Sequence, residues 1–520
     1  MTMIFQEFLN DFIPKLKQKE TQVKRASWIL ETTGSEEAAL LTKELTNELN
    51  LIFQDKETFK TLLSFEKEPL DPILKRELNV LIRAFKPRQI DKELLEEITK
   101  EEIHLALLYS NFRPTLDGKQ VSENEIKEIL KKEKDFIKRK KAWEASKEIG
   151  KTLSPQTLKL VELRNKAAKS LGYDTYFSMQ LDLQEVDEKA LFALLDRFEQ
   201  KTRKAYLTLL DEINTLQAKE FNAEKESLGP LAFAEPFCQE DPLNREDLDS
   251  LVKNVDILKT AELFYKKMGF DVSSILKKGD HFERDGKNQH AFCTHIDREA
   301  DVRVLHNIKQ TLKWLEVVLH ELGHAVYDIG ISQELPWILR EPPHMITTEA
   351  IALIAGRQAH KAQSLHELCK DSDKTLREMA EKGLKRGQLI FGRWALLMTY
   401  FERELYKNPN QDLNQLWWNM VERFQGIKWK GSSHKCDFAT KYHISLAPAY
   451  YFSYLLGEFF ASTLQKKFNI FSSENTALIL NEKLFKPGNT LHFNDLIKQV
   501  TGDELKEDDW IEEFLEIDNV

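Results

Sequence analysis

The stretch LHELGHAVYD, residues 319–328, decides how this 520-residue chain reads. It holds a His-Glu-x-x-His pattern inside an apolar surround, with VVL before the first histidine and AVY after the second. The spacing predicts a helix over 310–328 with one buried face. On such a helix His320 and His324 lie one turn apart on the same side, about 5–6 Å between Cβ atoms. Two imidazoles so placed can reach one Zn²⁺ at about 2.0–2.1 Å. Glu321 then projects beside that point rather than onto it, where a general base must sit to take a proton from water. Gly323 would permit either close packing or close approach of a substrate. The chain's own histidine and acid frequencies give on the order of a few hundredths such matches by chance. Two ordinary core or surface histidines are the competing explanation.

A catalytic zinc needs a third protein ligand and an open position. Glu349 is the candidate, 25 residues beyond His324. It opens a second helical pattern, EAIALIAGRQA, which could deliver it from a neighbouring helix. A glutamate in a helix's first turn is otherwise commonplace, because the dipole favours it. Position alone leaves both explanations standing.

Outward from this core, helix signals dominate. Only 19 Gly and 15 Pro punctuate the chain, and Leu, Lys and Glu are abundant. Residues 1–220 read as successive amphipathic helices, such as ENEIKEILKKEKDFIKRKKAWEASKEIG at 123–150. A looser, proline-containing segment, ESLGPLAFAEPFCQEDPLN at 226–244, is expected to form loops over the surface or a cleft. NQHAFCTHIDREADVRVLH at 288–306 alternates apolar positions around the turn-like DREAD, the one convincing hairpin signal. Helical patterning returns from 345 onward. No linker, repeat or low-complexity tract divides the chain. The expectation is a mainly α fold in one domain, 1–520, with a small β-hairpin beside the His-Glu-x-x-His helix.

Bulk properties exclude other classes. A net charge of −10 offers no global basic field for nucleic acid or anionic lipid. The basic run KRKK at 138–141 reads as a solvated helix face. The N-terminus MTMIFQEFLNDFIPKLKQKE places acids among its apolar residues, so no signal-peptide core is read there, and no run suits a membrane span. The four cysteines, Cys238, Cys293, Cys369 and Cys436, are scattered, with no CxxC. A cytoplasmic location with reduced thiols is expected.

The sequence resembles the angiotensin-converting-enzyme (peptidyl-dipeptidase A) family of zinc peptidases, as a soluble bacterial-type member. The resemblance rests on HELGH, on LREPPHMITTEA (339–350) with Glu349 in the ligand place, and on further segments in order: WEASKEIG (143–150), VELRNKAAKSLGY (161–173), LWWNMVERFQGI (416–427) and CDFATKYHI (436–444). His290-Ala291 precedes His320 at the family's spacing. These segments cover roughly residues 125–465. The resemblance implies a large helical, two-lobed fold around a deep cleft, with residues 1–120 as lid helices.

It also implies roles. One Zn²⁺ per chain would be held by His320, His324 and Glu349, with Glu321 as base. His443 and Tyr454 would donate to the developing oxyanion. Lys441, helped by Tyr451 and Gln239, would bind the substrate's C-terminal carboxylate. Ala291 backbone groups would pair with the peptide, and His290 would line the primed side. Tyr450 competes with Tyr451 as the upstream tyrosine, because one residue is inserted after His443. Some positions depart from the family pattern. Ser453 or Phe452 stands where vertebrate members hold chloride with arginine, so chloride activation is not expected there. Leu353 replaces an aspartate beside the metal, and Gln289 replaces a cysteine. The implied activity is release of C-terminal dipeptides from peptides with a free C-terminus. A thimet-type oligoendopeptidase is the nearest alternative. An inactive peptide-binding relative is a third, disfavoured because all three ligands and the base are present.

Overall fold

The computed structural model describes residues 4–243, 247–370, 372–429, 436–471 and 475–515. The fold is mainly α, with two small two-stranded antiparallel sheets among the described residues. The chain divides into two compact units. One comprises Met1–Gln89, Glu246–Glu381 and Leu456–Trp510, the other Ile90–Arg245, Lys382–Leu455 and Ile511–Val520.

The first unit opens with helix α1 (Phe5–Thr33). Gly34 ends it with φ 61°. A Cβ there would fall 2.2 Å from the Gly286 carbonyl oxygen, so two backbones cross where a side chain cannot fit. Phe5, Phe8, Phe65 and Phe85 build a core that also takes Trp337, Ile338 and Leu339. The second unit carries helices α2 (Ile149–Ser170) and α3 (Glu188–Phe221). In it Trp143 of the WEAS segment packs on Trp418 of the double-tryptophan helix, centroids 6.2 Å apart, and on Trp429 at 5.2 Å.

The amphipathic run 123–150 is not one helix. It breaks into Glu123–Lys132 and Phe136–Ser146 before α2 begins at Ile149. Ser122 and Glu125 form a capping box on the first piece, and Asp135 accepts from Ile137 and Lys138 N–H on the second. Capping chemistry therefore overrode a continuous apolar period. The segment expected as loops at 226–244 is also corrected through residue 243. Pro230, Leu231, Ala232 and Phe233 are buried, so the stretch runs through the interior.

The hairpin forms as patterned. Strand β1 (Phe292–His295) pairs antiparallel with β2 (Val302–Leu305), Cys293 opposite Val304. The Asp297 carboxylate makes its turn by accepting from the N–H groups of Glu299, Ala300 and Asp301. Trp28 of α1 covers the sheet, edge-on to Phe292 at 6.1 Å. Helix α4 (Leu312–Gly330) follows, capped by Thr311, whose hydroxyl accepts from Trp314 N–H. Helix α5 (Met345–Arg357) packs against it. Helices α6 (Lys374–Lys407) and α7 (Tyr451–Phe468) come later in the chain. No helix among the described residues is long and apolar enough to cross a membrane. All four cysteines are unbonded.

Candidate active site

Helix α4 buries Leu312, Leu315, Val318, Leu319, Leu322, Ala325 and Val326, which turns His320 and His324 toward α5. The Tyr265 hydroxyl donates to the Leu319 carbonyl at 2.6 Å and anchors this turn. The two helices touch where α4 has glycine: a Cβ at Gly323 would lie 2.6 Å from Ala352 Cα and 3.0 Å from its nitrogen. Close packing, rather than substrate access, is thus the reason for Gly323.

That contact brings Glu349 to the histidines. One ligand atom each from His320, His324 and Glu349 lies within 4.8 Å of the others. Both imidazole Nε2 atoms are 3.8 Å from a Glu349 carboxylate oxygen, too far for hydrogen bonds. Glu349 Oε2 is buried with no hydrogen-bond partner. Burial, with the nearby Glu458 carboxylate, pushes the Glu349 carboxyl up to about 7. Burial depresses both histidines, His320 to about 4 and His324 well below its usual range. Two neutral imidazoles and an orphaned buried carboxylate around one point fit a divalent metal. Helix α5 starts at Met345, four residues before Glu349, with no acid in its first turn. The expectation that Glu349 opens the helix is therefore corrected, and the dipole no longer explains it.

Surrounding groups orient the ligands. His324 Nδ1 meets Thr348 Oγ1 at 2.8 Å, and His320 shares a hydrogen bond with the Ala352 backbone. Leu353 carries no polar atom, and the polar partner of His324 is Thr348. Arg357 at the end of α5 pairs with buried Glu458 on α7. Glu321 is buried, and desolvation, then Glu349, push its carboxyl up to about 8, opposed by a hydrogen bond from Cys293 N–H. That bond identifies the open edge of β1. Val304 gives its carbonyl to Asp280 N–H on the far side of β2, so Cys293, opposite it, turns its own backbone outward toward Glu321. Ala291 is half-buried just before the strand. His290 is exposed, its N–H donating to Asn288 Oδ1 at 2.9 Å.

The remaining candidates gather in the second unit. Lys441 Nζ donates to Gln239 Oε1 at 3.2 Å. Its ammonium is caged by Phe237, Trp394 and Tyr451 at 4.8, 5.2 and 5.9 Å from the ring centroids. Burial lowers its pKa to about 8 against the pull of Glu235. Gln239 arrives on a tied loop: buried Glu235 accepts from Phe237 and Gln239 N–H at 2.7 and 2.6 Å, and Gln425 donates to the Phe237 and Cys238 carbonyls. His443 packs at a tilt on Tyr451, centroids 4.8 Å apart, its Nδ1 buried without a partner, and burial followed by Lys441 lowers its pKa to about 4. Tyr451 therefore faces both Lys441 and His443. Tyr450 instead packs on Tyr454 at 4.9 Å, while Tyr451 lies 5.7 Å from Tyr454. Sequence reasoning missed Phe237, Trp394, Glu235 and Thr348. Each is an unremarkable residue type whose part is visible only once the loop and helices are folded.

Comparison with known proteins gives two matching family models. One described as angiotensin-converting enzyme matches residues 2–211, and one described as peptidase family M3 matches residues 277–516. Angiotensin-converting enzyme-like protein Ace3 of Mus musculus is 22% identical over 530 residues, 89% of this chain and 70% of that protein. The angiotensin-converting enzymes of Bos taurus and Mesocricetus auratus are each 22% identical, over 89% and 85% of this chain. The chain spans only 38% and 36% of those two proteins.

Proposed function

From the premise that this chain belongs to the angiotensin-converting-enzyme and M3 family of zinc peptidases, we propose that it is a peptidyl-dipeptidase releasing C-terminal dipeptides from short peptides. One Zn²⁺ per chain would be held by His320, His324 and Glu349. When bound, it supplies a Lewis acid that polarises water and the scissile carbonyl. Glu321 takes the proton from the attacking water and passes it to the leaving amine. The backbone of Ala291 and the open edge of β1 pair with the extended peptide, and His290 lines its primed side. His443 and Tyr454 donate to the oxyanion, which strengthens as charge develops. Lys441, with Gln239 and Tyr451, anchors the free carboxylate two residues beyond the cut. The lid role for residues 1–120, the single-domain organisation, a cytoplasmic location and independence from chloride at Ser453 or Phe452 belong to the same proposal.

The observation that carries the dipeptidase reading is the Lys441–Gln239 contact inside its aromatic cage. A lysine serving only solubility would not be held there. The M3 match over the half that bears HELGH favours a second reading, a thimet-type oligoendopeptidase. A blocked peptide tested as free acid and as C-terminal amide, with product masses measured, separates them. Loss of an intact dipeptide from the acid and little turnover of the amide is expected. Equal internal cleavage of both would assign the endopeptidase, and bound zinc without any cleavage would leave a binding protein.

A further inference from the structure

Between His443 and Tyr451 lies the run SLAPA, residues 445–449, flanked by Ile444 and Tyr450. It ends on Ala449, a buried non-glycine residue in the left-handed region at φ 55°. An alanine resists that conformation, because its Cβ crowds the following carbonyl. Something must hold it, and the strain sits two residues before Tyr451.

Two side chains hold Ala449 from opposite sides. Glu402 of α6, almost fully buried, accepts from the Ala449 N–H at 2.9 Å. The Gln184 amide donates to the Ala449 carbonyl at 3.3 Å. At the other end of the segment, Arg164 of α2 donates to the Ser445 carbonyl at 2.8 Å and to the Tyr406 hydroxyl at 3.2 Å. Burial pushes the Glu402 carboxyl up to about 8, opposed by the Ala449 hydrogen bond and by Arg164. A carboxyl so costly to bury has to be held by its contact. An apolar side chain of the same size would fill the space without that cost, so packing alone does not account for it.

We propose that Glu402 is a positioning residue, clamping Ala449 in its strained conformation and thereby fixing the first turn of α7, with Tyr451 and Tyr454, relative to His443. The inference rests on the roles given above to His443 and Tyr454. Without the acceptor, the Ala449 N–H is buried and unpaired, and the residue relaxes out of the left-handed region. The α7 entry then shifts. A displacement near 1 Å at groups that act on the transition state costs about 100-fold in rate.

The test compares Glu402→Leu, which keeps the volume, with Glu402→Gln, whose amide oxygen can still accept. Hydrogen exchange over residues 445–454, read by mass spectrometry in the full chain, reports the clamp without relying on turnover. Exchange there is expected to accelerate in E402L and stay close to wild type in E402Q. With peptide substrate, kcat should fall roughly 10- to 100-fold in E402L at unchanged zinc content, with a smaller rise in KM because Tyr451 moves too, and both should largely recover in E402Q. Unchanged exchange in E402L overturns the clamp. Accelerated exchange with unchanged kcat overturns the positioning role. If E402L does not fold, Gln184→Ala removes the opposite contact, with a smaller effect in the same direction expected and no effect counting against the proposal. The free-acid and amide comparison on wild type fails separately, so the dipeptidase reading can fall while the clamp stands.

Discussion

At the scale of single residues, the two carboxylates of the candidate metal cluster differ in their surroundings, and the proposal gives them different work. Glu349 lies between two imidazole nitrogens, and its Oε2 has no protein partner. Glu321 has a backbone donor and stands aside. Glu321→Gln is therefore expected to keep zinc and lose about 10²–10⁴ in kcat, the usual worth of a general base. Glu349→Ala should lose zinc as well. Metal content by mass spectrometry, measured beside turnover, tells the two apart, and zinc loss in E321Q would contradict the assignment. Lys441 gives a pH prediction. Burial has lowered its pKa to about 8, so the ammonium is present below that pH and lost above it. For free-acid peptides, kcat/KM should drop as pH rises through about 8, while amide peptides show no such limb. Lys441→Met should raise KM for the acid about 10- to 100-fold, from the loss of a charged hydrogen bond near 1.5–3 kcal/mol. The residues that make up the candidate site were half legible beforehand. HELGH names three of the four groups at the candidate metal cluster by spacing, but Phe237 and Trp394 around Lys441 carry no sequence mark.

At the scale of elements, the candidate metal cluster is a property of two helices in contact. The close approach of α4 and α5 depends on Gly323, where any Cβ would collide with the Ala352 backbone at 2.6 Å. That neighbour is backbone, not a flexible side-chain end, so it cannot move aside locally. Gly323→Ala is expected to cost about 1–3 kcal/mol, as overpacking does, although alanine is the better helix former. It should weaken zinc binding in parallel, because the separation displaces Glu349. Thermal unfolding with and without zinc checks this, and a stabilised G323A variant would contradict it. The sequence offered packing and substrate access for Gly323 as equals. Only the position of Ala352 decides between them.

At the scale of the whole molecule, all three candidate metal ligands and Glu321 fall in the unit formed by Met1–Gln89, Glu246–Glu381 and Leu456–Trp510. A ligand that binds only the folded state stabilises it by mass action, about 4 kcal/mol at a thousandfold excess over Kd. Chelation is therefore expected to lower the midpoint of the transition that unfolds this unit by roughly 10 °C. Calorimetry with added zinc should restore it. An unchanged thermogram at full metal removal would mean that the cluster does not hold its metal tightly.

The sequence by itself determined the helical class, the hairpin at 292–305 and the HELGH helix. Each rests on local periodicity or on a short-range turn, and such signals survive in one dimension. It also named Glu349, Lys441, His443 and Tyr451 through a pattern of ordered segments. The tertiary structure alone decided what those residues touch. Glu349 meets the histidines because a glycine lets two helices close. Gln239 reaches Lys441 because Glu235 and Gln425 tie the loop that carries it. Thr348 takes the place beside His324. The break at Glu133–Asp135 belongs to the same lesson, since capping hydrogen bonds ended a helix whose apolar period ran on. Contacts between residues distant in sequence depend on which surfaces are buried together, and periodicity carries no record of that.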